Sequence, residues 1–413
     1  METRYSKRGI VILCSAVYFV SYFSRKDFAA VMAAMLETGV LDKGTAGLIG
    51  TMLFVFYGVG QLLSGYLGDR VRPRHLLALG MLVTALCNLV FPLVSLPALR
   101  ILLWGVNGLA QAMLWPPIVR ILATHLTSEE YASANLAVTT AAHVATILLY
   151  LYVPLCLRVF SYEAVFFSAA LLAGLVLLLF LLVIGRVLPE ESHRAERAEP
   201  TTTEGREGLG TLVKHAGLLP IFGGIVACGY LRDGIESWLP TLYAEAFGRA
   251  AEESILISVA LPVFSILAIT LVRTIHKRPT FNNEARGAAI FFVFAVALSI
   301  PLSFLIALEG AAVRVISLLL AALVCAAMHG VNFMLISCLP GRFAGTGCIS
   351  TVSGLSNAFI YVGAAASMYG MALLAERLGW QTTVLSWIAV GAAGFALMLL
   401  GHRRYTRFIG GKA

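Results

Sequence analysis

Residues 189–210 read PEESHRAERAEPTTTEGREGLG. Glutamate, arginine, threonine and glycine dominate this stretch and no apolar run interrupts it, which describes a solvated linker. On either side the sequence turns apolar in long blocks. Six precede the linker, at 9–36, 46–68, 75–95, 97–124, 131–157 and 162–187. Six follow it, at 217–245, 253–275, 287–308, 312–339, 346–374 and 381–402. Each is long enough to cross a bilayer as a helix, and all are far too long for barrel strands. The expected fold is therefore an all-α membrane protein with twelve transmembrane helices in two six-helix, pseudo-symmetric bundles. The expected domains are residues 1–188, a cytoplasmic linker at 189–211 and residues 212–413.

Composition points the same way. The chain is 59% hydrophobic and 13% charged, about half the charge of an ordinary soluble domain. Its mean hydropathy is +0.87. The first apolar run exceeds a signal-peptide core and is read as a retained helix. The net charge of +8 could suit nucleic acid, but its distribution fits topology better. With both termini on one side, twenty-one of the thirty Lys and Arg residues gather there and six lie opposite. That bias predicts cytoplasmic termini and an inner-membrane, multi-pass protein, with the lipid bilayer as partner and no nucleic acid. The seven cysteines stand singly, without metal-ligand spacing, and read as packing residues. No nucleophile–base pair, phosphate-cradling loop, metal cluster or nucleotide-binding domain is visible. No enzyme activity and no cofactor is expected, and a single chain containing both halves is expected to act as a monomer.

The remaining basic residues, Arg25, Lys26 and Arg232, lie inside spans. An arginine at membrane depth costs about 2.5–3.5 kcal/mol on insertion scales, so it calls for a function. Tyr18, Tyr22 and Arg25 are spaced by four and three and share one helical face, with Lys26 at its edge. Arginine grips a phosphate or carboxylate as a fork, lysine as a point charge. Asp27 follows Arg25 by two and does not share its face. In the seventh span, YLRDGIESWLPTLY from Tyr230, Glu236 follows Arg232 by four and could neutralise it, while Asp233 is expected to point elsewhere. Pro240 is expected to disturb this helix.

Further polar residues are secondary candidates. Asn107 and Gln111 precede Trp115 and the tandem prolines Pro116 and Pro117, which should kink the fourth span. His329 and Asn332 occupy the tenth span, its counterpart in the other half. His143 lies in the fifth span and Asn357 in the eleventh. The loop GYLGDRVRPR, residues 65–74, combines Gly65, Asp69 and Arg70 in a G-x-x-x-D-R pattern at facing helix ends, where a charge relay could gate movement.

This loop, with the six-plus-six organisation, resembles the major facilitator superfamily. Four stretches resemble its organophosphate:phosphate antiporters: YFSRKDF (Tyr22–Phe28), LWPP (Leu114–Pro117), AAH (Ala141–His143) and YLRDGIESWLPTLY (Tyr230–Tyr243). The resemblance implies that Arg25 and Arg232 bind phosphate, with His143, Tyr18 and Tyr22 in the substrate site. It further implies alternating access, a phosphoryl group held between the halves, and exchange against inorganic phosphate. The chain departs from the family at Gln61, where members carry a lysine, and in the loop after span eight, which lacks the second Asp-Arg motif. Asp27 and Glu236 leave proton-coupled symport open, and some members of the family act as sugar-phosphate sensors. The cargo is expected to be a small organophosphate or similar anion.

Overall fold

The computed structural model describes residues 7–68, 71–187, 213, 215–276, 278, 281–346 and 348–411. The 189–211 linker, Asp69 and Arg70 lie outside them. Among the described residues every regular element is helical. In the first part of the chain these are α1 (Lys7–Glu37), α2 (Lys43–Gly68), α3 (Pro73–Val90), α4 (Pro97–Ala112), α5 (Trp115–His125), α6 (Ser128–Val159) and α7 (Tyr162–Val187). Then come α8 (Leu218–Ala246), α9 (Ala251–Ile257), α10 (Ala260–Ile275), α11 (Glu284–Leu305) and α12 (Ala311–Asn332). A π-helical turn, Phe333–Cys338, and a 3-10 stretch, Leu339–Thr346, lead into α13 (Ile349–Gly410).

Local chemistry explains the boundaries. Pro73 and Pro97 open α3 and α4 after extended residues Arg72 and Leu96; proline suits the first helical turn, where its missing N–H is not needed. Thr127 and Glu130 cap α6 reciprocally, and Lys7 Nζ lies 2.8 Å from Glu130 Oε1. Gly379, at φ 81° and ψ 173°, divides α13 into two helices, at the break that the sequence placed between its last two apolar runs. The tandem prolines also act as expected. Helix α4 ends at Ala112, and the Met113 and Leu114 N–H groups bond three residues back, to Ala110 and Gln111. Pro240 lies inside α8, which runs through it; having no N–H, it gives no bond to the carbonyl four residues back.

Asp42 stands ahead of α2 and accepts the Thr45 N–H at 2.7 Å and the Thr45 hydroxyl at 2.6 Å. The Thr45 hydroxyl, then its N–H, hold the Asp42 carboxyl below its usual range. A depressed folded-state value means stabilisation that is complete above the ordinary carboxylate range and lost as pH falls through the folded value. Asp42→Ala is expected to cost about 1 kcal/mol at neutral pH. In detergent-solubilised protein, its thermal midpoint should fall below wild type at pH 7, and the gap should close as the pH is taken below 4.

Nine helical stretches among the described residues are long and apolar enough to cross a membrane, by length and composition. Helix α1 is not among them because Arg25, Lys26 and Asp27 stand in its middle. It is an interior helix, with those three side chains buried. Neither α4 nor α5 reaches that length alone, because the proline break divides them.

The chain forms two compact units. One comprises Met1–Leu41, Met52–Glu199 and Ala251–Pro262, the other Asp42–Thr51, Pro200–Ala250 and Val263–Ala413. In the first, α1 packs along α6 and α7. Its core holds Ile10, Leu13, Val17, Met81, Ile118 and Phe180, and Phe28, Phe91, Trp104 and Phe166 form a second, aromatic cluster. In the second, α8 lies against α13 and α12. There Trp238 Nε1 donates to the Met368 carbonyl at 3.2 Å, and Glu245 accepts from Trp380 Nε1 at 2.9 Å and pairs with Lys43 at 2.7 Å.

Candidate functional site

The first unit gathers the aromatic and cationic stripe of α1. Tyr18 and Tyr22 meet edge to face with centroids 5.1 Å apart, and Tyr18 also contacts Trp115 at 4.8 Å. Arg25 is only 8% exposed. Its central carbon lies 4.3 Å from the Tyr22 ring centroid and 5.0 Å from that of Tyr57 on α2. Such contacts hold a cation at about 0.5–2 kcal/mol each and fix the guanidinium plane, so its N–H edges keep a defined direction for an anion. Tyr57 was not singled out from the sequence, because its helix offers no stripe around it. Lys26 is buried beside this stripe. Asp27 is fully buried; its Oδ1 accepts the Phe28 N–H at 2.7 Å, and its Oδ2 has no hydrogen bond among the described residues.

Asn107 and Gln111 fasten α4 to its neighbours. Asn107 Nδ2 donates to the Ser24 carbonyl at 3.3 Å. Gln111 accepts from the Ser21 hydroxyl and donates to Thr84 Oγ1 at 3.3 Å. Both are buried one strip over from the Tyr18–Arg25 face. His143 is partly buried on α6, the helix packed along α1. Gln61 has a structural task that follows from the prolines. Pro116 has no N–H to give the carbonyl four residues back, that of Ala112; Gln61 Nε2 donates to that carbonyl instead, at 3.2 Å. Gly65 lies within α2.

In the second unit, Arg232 is held differently from the sequence expectation. Its Nη2 lies 2.6 Å from Asp233 Oδ2, and its Nη1 donates to Asn332 Oδ1 at 2.6 Å. The neighbour expected to point elsewhere is the ion-pair partner. Adjacent helical residues diverge at Cβ, but the long arginine stem spans that divergence. Glu236, which the spacing allowed as a partner of Arg232, meets His329 Nε2 at 2.7 Å. A guanidinium has five N–H donors, and these two bonds engage only two of them. Asn332 and His329 are thus brought to Arg232 and Glu236. Asn357 is not; its amide donates to Ser353 of its own helix at 3.1 Å.

The model of the Major Facilitator Superfamily matches residues 14–368. The chain belongs to the Major Facilitator Superfamily. Among curated members, the glycerol-3-phosphate transporter of Bacillus subtilis is 25% identical over 87% of this chain and 84% of its own length. A probable hexose phosphate transport protein of Chlamydia trachomatis is 35% identical over 30% of this chain and 27% of its own. The chain therefore spans about a quarter of that relative's length in the match. The membrane sensor protein UhpC of Escherichia coli is 33% identical over 29% of this chain and 27% of its own. Among solved structures, the nucleoside transporter NupG superposes with a TM-score of 0.70 at 14% identity, covering 95% of this chain and 98% of that one. At that identity the superposition speaks for the superfamily fold alone. The relatives' names agree with the organophosphate resemblance carried by YFSRKDF and YLRDGIESWLPTLY.

Proposed function

We propose that this superfamily member is a secondary transporter of a small phosphorylated organic anion, working by alternating access in exchange for inorganic phosphate. The observation that carries the reading is Arg25, a guanidinium buried in the middle of an apolar helix and stacked on Tyr22 and Tyr57. Burying a charge is tolerated where that charge has work to do. Arg25 and Arg232 bind the anionic head; Tyr18, Tyr22, Lys26 and His143 shape the surroundings. Twelve spans in two six-helix bundles, 1–188 and 212–413, would result if α1, the α4–α5 pair and both parts of α13 all cross. Both termini then face the cytoplasm, and the monomer is the working unit in the inner membrane. Gly65, Asp69 and Arg70 gate its movement.

The relatives that transport glycerol 3-phosphate and hexose phosphates support this cargo class. The UhpC relative favours a second reading, a sensor that binds without moving its ligand. Proteoliposomes loaded with phosphate separate the two. Radiolabelled glycerol 3-phosphate or a hexose phosphate is expected to enter only when phosphate can leave. Binding without entry would establish a sensor instead. Uptake that needs a pH gradient and ignores internal phosphate would establish proton symport, with Asp27 and Glu236 as the carboxylates to substitute next.

A further inference from the structure

Glu236, Cys325 and His329 meet in the second unit. One ligand atom from each, a carboxylate oxygen, the thiol sulfur and an imidazole nitrogen, all lie within 4.8 Å of one another. Glu236 Oε1 is 2.7 Å from His329 Nε2 and 3.9 Å from Cys325 Sγ. Cys325 and His329 are four residues apart on α12, so one helical face presents both. Glu236 reaches them from α8. Cys325 is fully buried and His329 nearly so. The seven cysteines read as packing residues from the sequence, since none pairs with another at ligand spacing. Cys-x-x-x-His on a helix is nevertheless such a spacing, and the third donor comes from a helix distant in sequence.

We propose that Glu236, Cys325 and His329 form a binding site for a borderline-soft divalent cation of the zinc class. The donor set is one thiolate, one imidazole and one carboxylate, the three ligand types that zinc takes. Around a tetrahedral ion with bonds of about 2.0–2.3 Å, neighbouring ligand atoms stand about 3.3–3.7 Å apart. The nitrogen and oxygen must therefore part by roughly half an ångström from their present hydrogen bond, while the sulfur, 3.9 Å from the carboxylate oxygen, must close on it by a few tenths of an ångström. A carboxylate, a thiolate and a neutral imidazole together carry two negative charges, which one divalent ion cancels. Arg232, one turn away, already has its counter-charge in Asp233. Hard cations such as magnesium, which prefer oxygen ligands, are excluded by the sulfur and nitrogen donors. Three protein ligands leave a fourth position for water or an anion.

Binding takes the proton from the Cys325 thiol to solvent as the sulfur–metal bond forms, and it requires His329 unprotonated, so affinity falls as pH falls. The ion joins α8 to α12 one turn from Arg232. If the proposed transport requires these helices to shift against each other, zinc acts as a brake on it. That consequence rests on the transport reading; the site itself does not.

The test is a cobalt titration of the purified, tag-free protein in detergent, followed by zinc. A thiolate-to-cobalt charge-transfer band is expected at one equivalent, bleached by zinc, absent in Cys325→Ser and at least tenfold weaker in affinity in His329→Gln. Cys228→Ser is the control, because Cys228 lies on the same α8–α12 contact and donates to the Met328 carbonyl; its band should match wild type. Zinc should also raise the thermal midpoint of wild type and of Cys228→Ser but not of Cys325→Ser. No band in wild type, or a band that survives Cys325→Ser, overturns the proposal. Because no phosphate ligand or flux enters the titration, it can fail while the transport reading stands, and the reverse.

Discussion

Arg25→Lys is expected to reduce phosphate-driven uptake about 100-fold, near 2.7 kcal/mol of lost transition-state and ligand stabilisation, while the protein still inserts and purifies as one species. Lysine keeps the charge, so electrostatics alone predicts a small effect. What it loses is geometry. A guanidinium packs over the Tyr22 and Tyr57 rings and can offer parallel N–H groups to two anion oxygens. An ammonium has no plane to stack and grips as a point. Arg232→Lys is expected to fail as severely for a related reason. Lysine can keep the Asp233 pair, but it then has no second, rigidly placed donor for Asn332. Asn332 is left without its 2.6 Å partner and the charge is drawn onto Asp233, away from the anion. Uptake in phosphate-loaded proteoliposomes measures both, with thermal midpoints showing that the fold survives. Wild-type exchange by either variant would remove that arginine from the site. If both exchange normally, the anion-carrier reading fails while the superfamily fold remains.

Much of this was legible in the sequence, and what was not has a common cause. Periodicity reports which residues share a face of one helix. It therefore gave Tyr18, Tyr22 and Arg25 as one stripe, and those side chains do touch in that order. Backbone punctuation was also legible: the Pro116–Pro117 break ends α4 at Ala112, and the gap between the last two apolar runs holds Gly379. Contacts between helices were not. Tyr57 completes the Arg25 cradle from α2, and nothing in its own neighbourhood announces it. Gln61 reads as a missing lysine until the Ala112 carbonyl, freed by Pro116, is found beside it. Local spacing also left Asp233 pointing elsewhere, yet it is the adjacent Asp233 that pairs with Arg232, while His329 on another helix meets Glu236. The Cys325–His329 pair was likewise missed, since the cysteines read as packing residues, and it became a candidate site only when Glu236 was found beside it from α8.

Gly229→Ala is expected to be strongly destabilising, although replacing glycine by alanine inside a helix ordinarily gains about 1 kcal/mol. The sign reverses because of what α8 meets. A Cβ at Gly229 would overlap the Ile360 carbonyl oxygen on α13. The contact is reciprocal, since a Cβ at Gly363 on α13 would overlap the Val226 carbonyl oxygen and stand 2.8 Å from the Tyr230 N. Small residues let two helices approach until backbone touches backbone, and a carbonyl oxygen cannot rotate away as a side chain can. The helices must separate, which strips contacts from the whole length of the α8–α13 packing, at about 1–3 kcal/mol or more. The thermal midpoint should drop by on the order of 1–4 °C. Gly174→Ala on α7 is the matched comparison, because nothing lies within 4 Å of a Cβ there. That variant should melt at or above wild type, as propensity alone predicts. If Gly229→Ala melts with Gly174→Ala rather than below it, α8 and α13 are not in backbone contact.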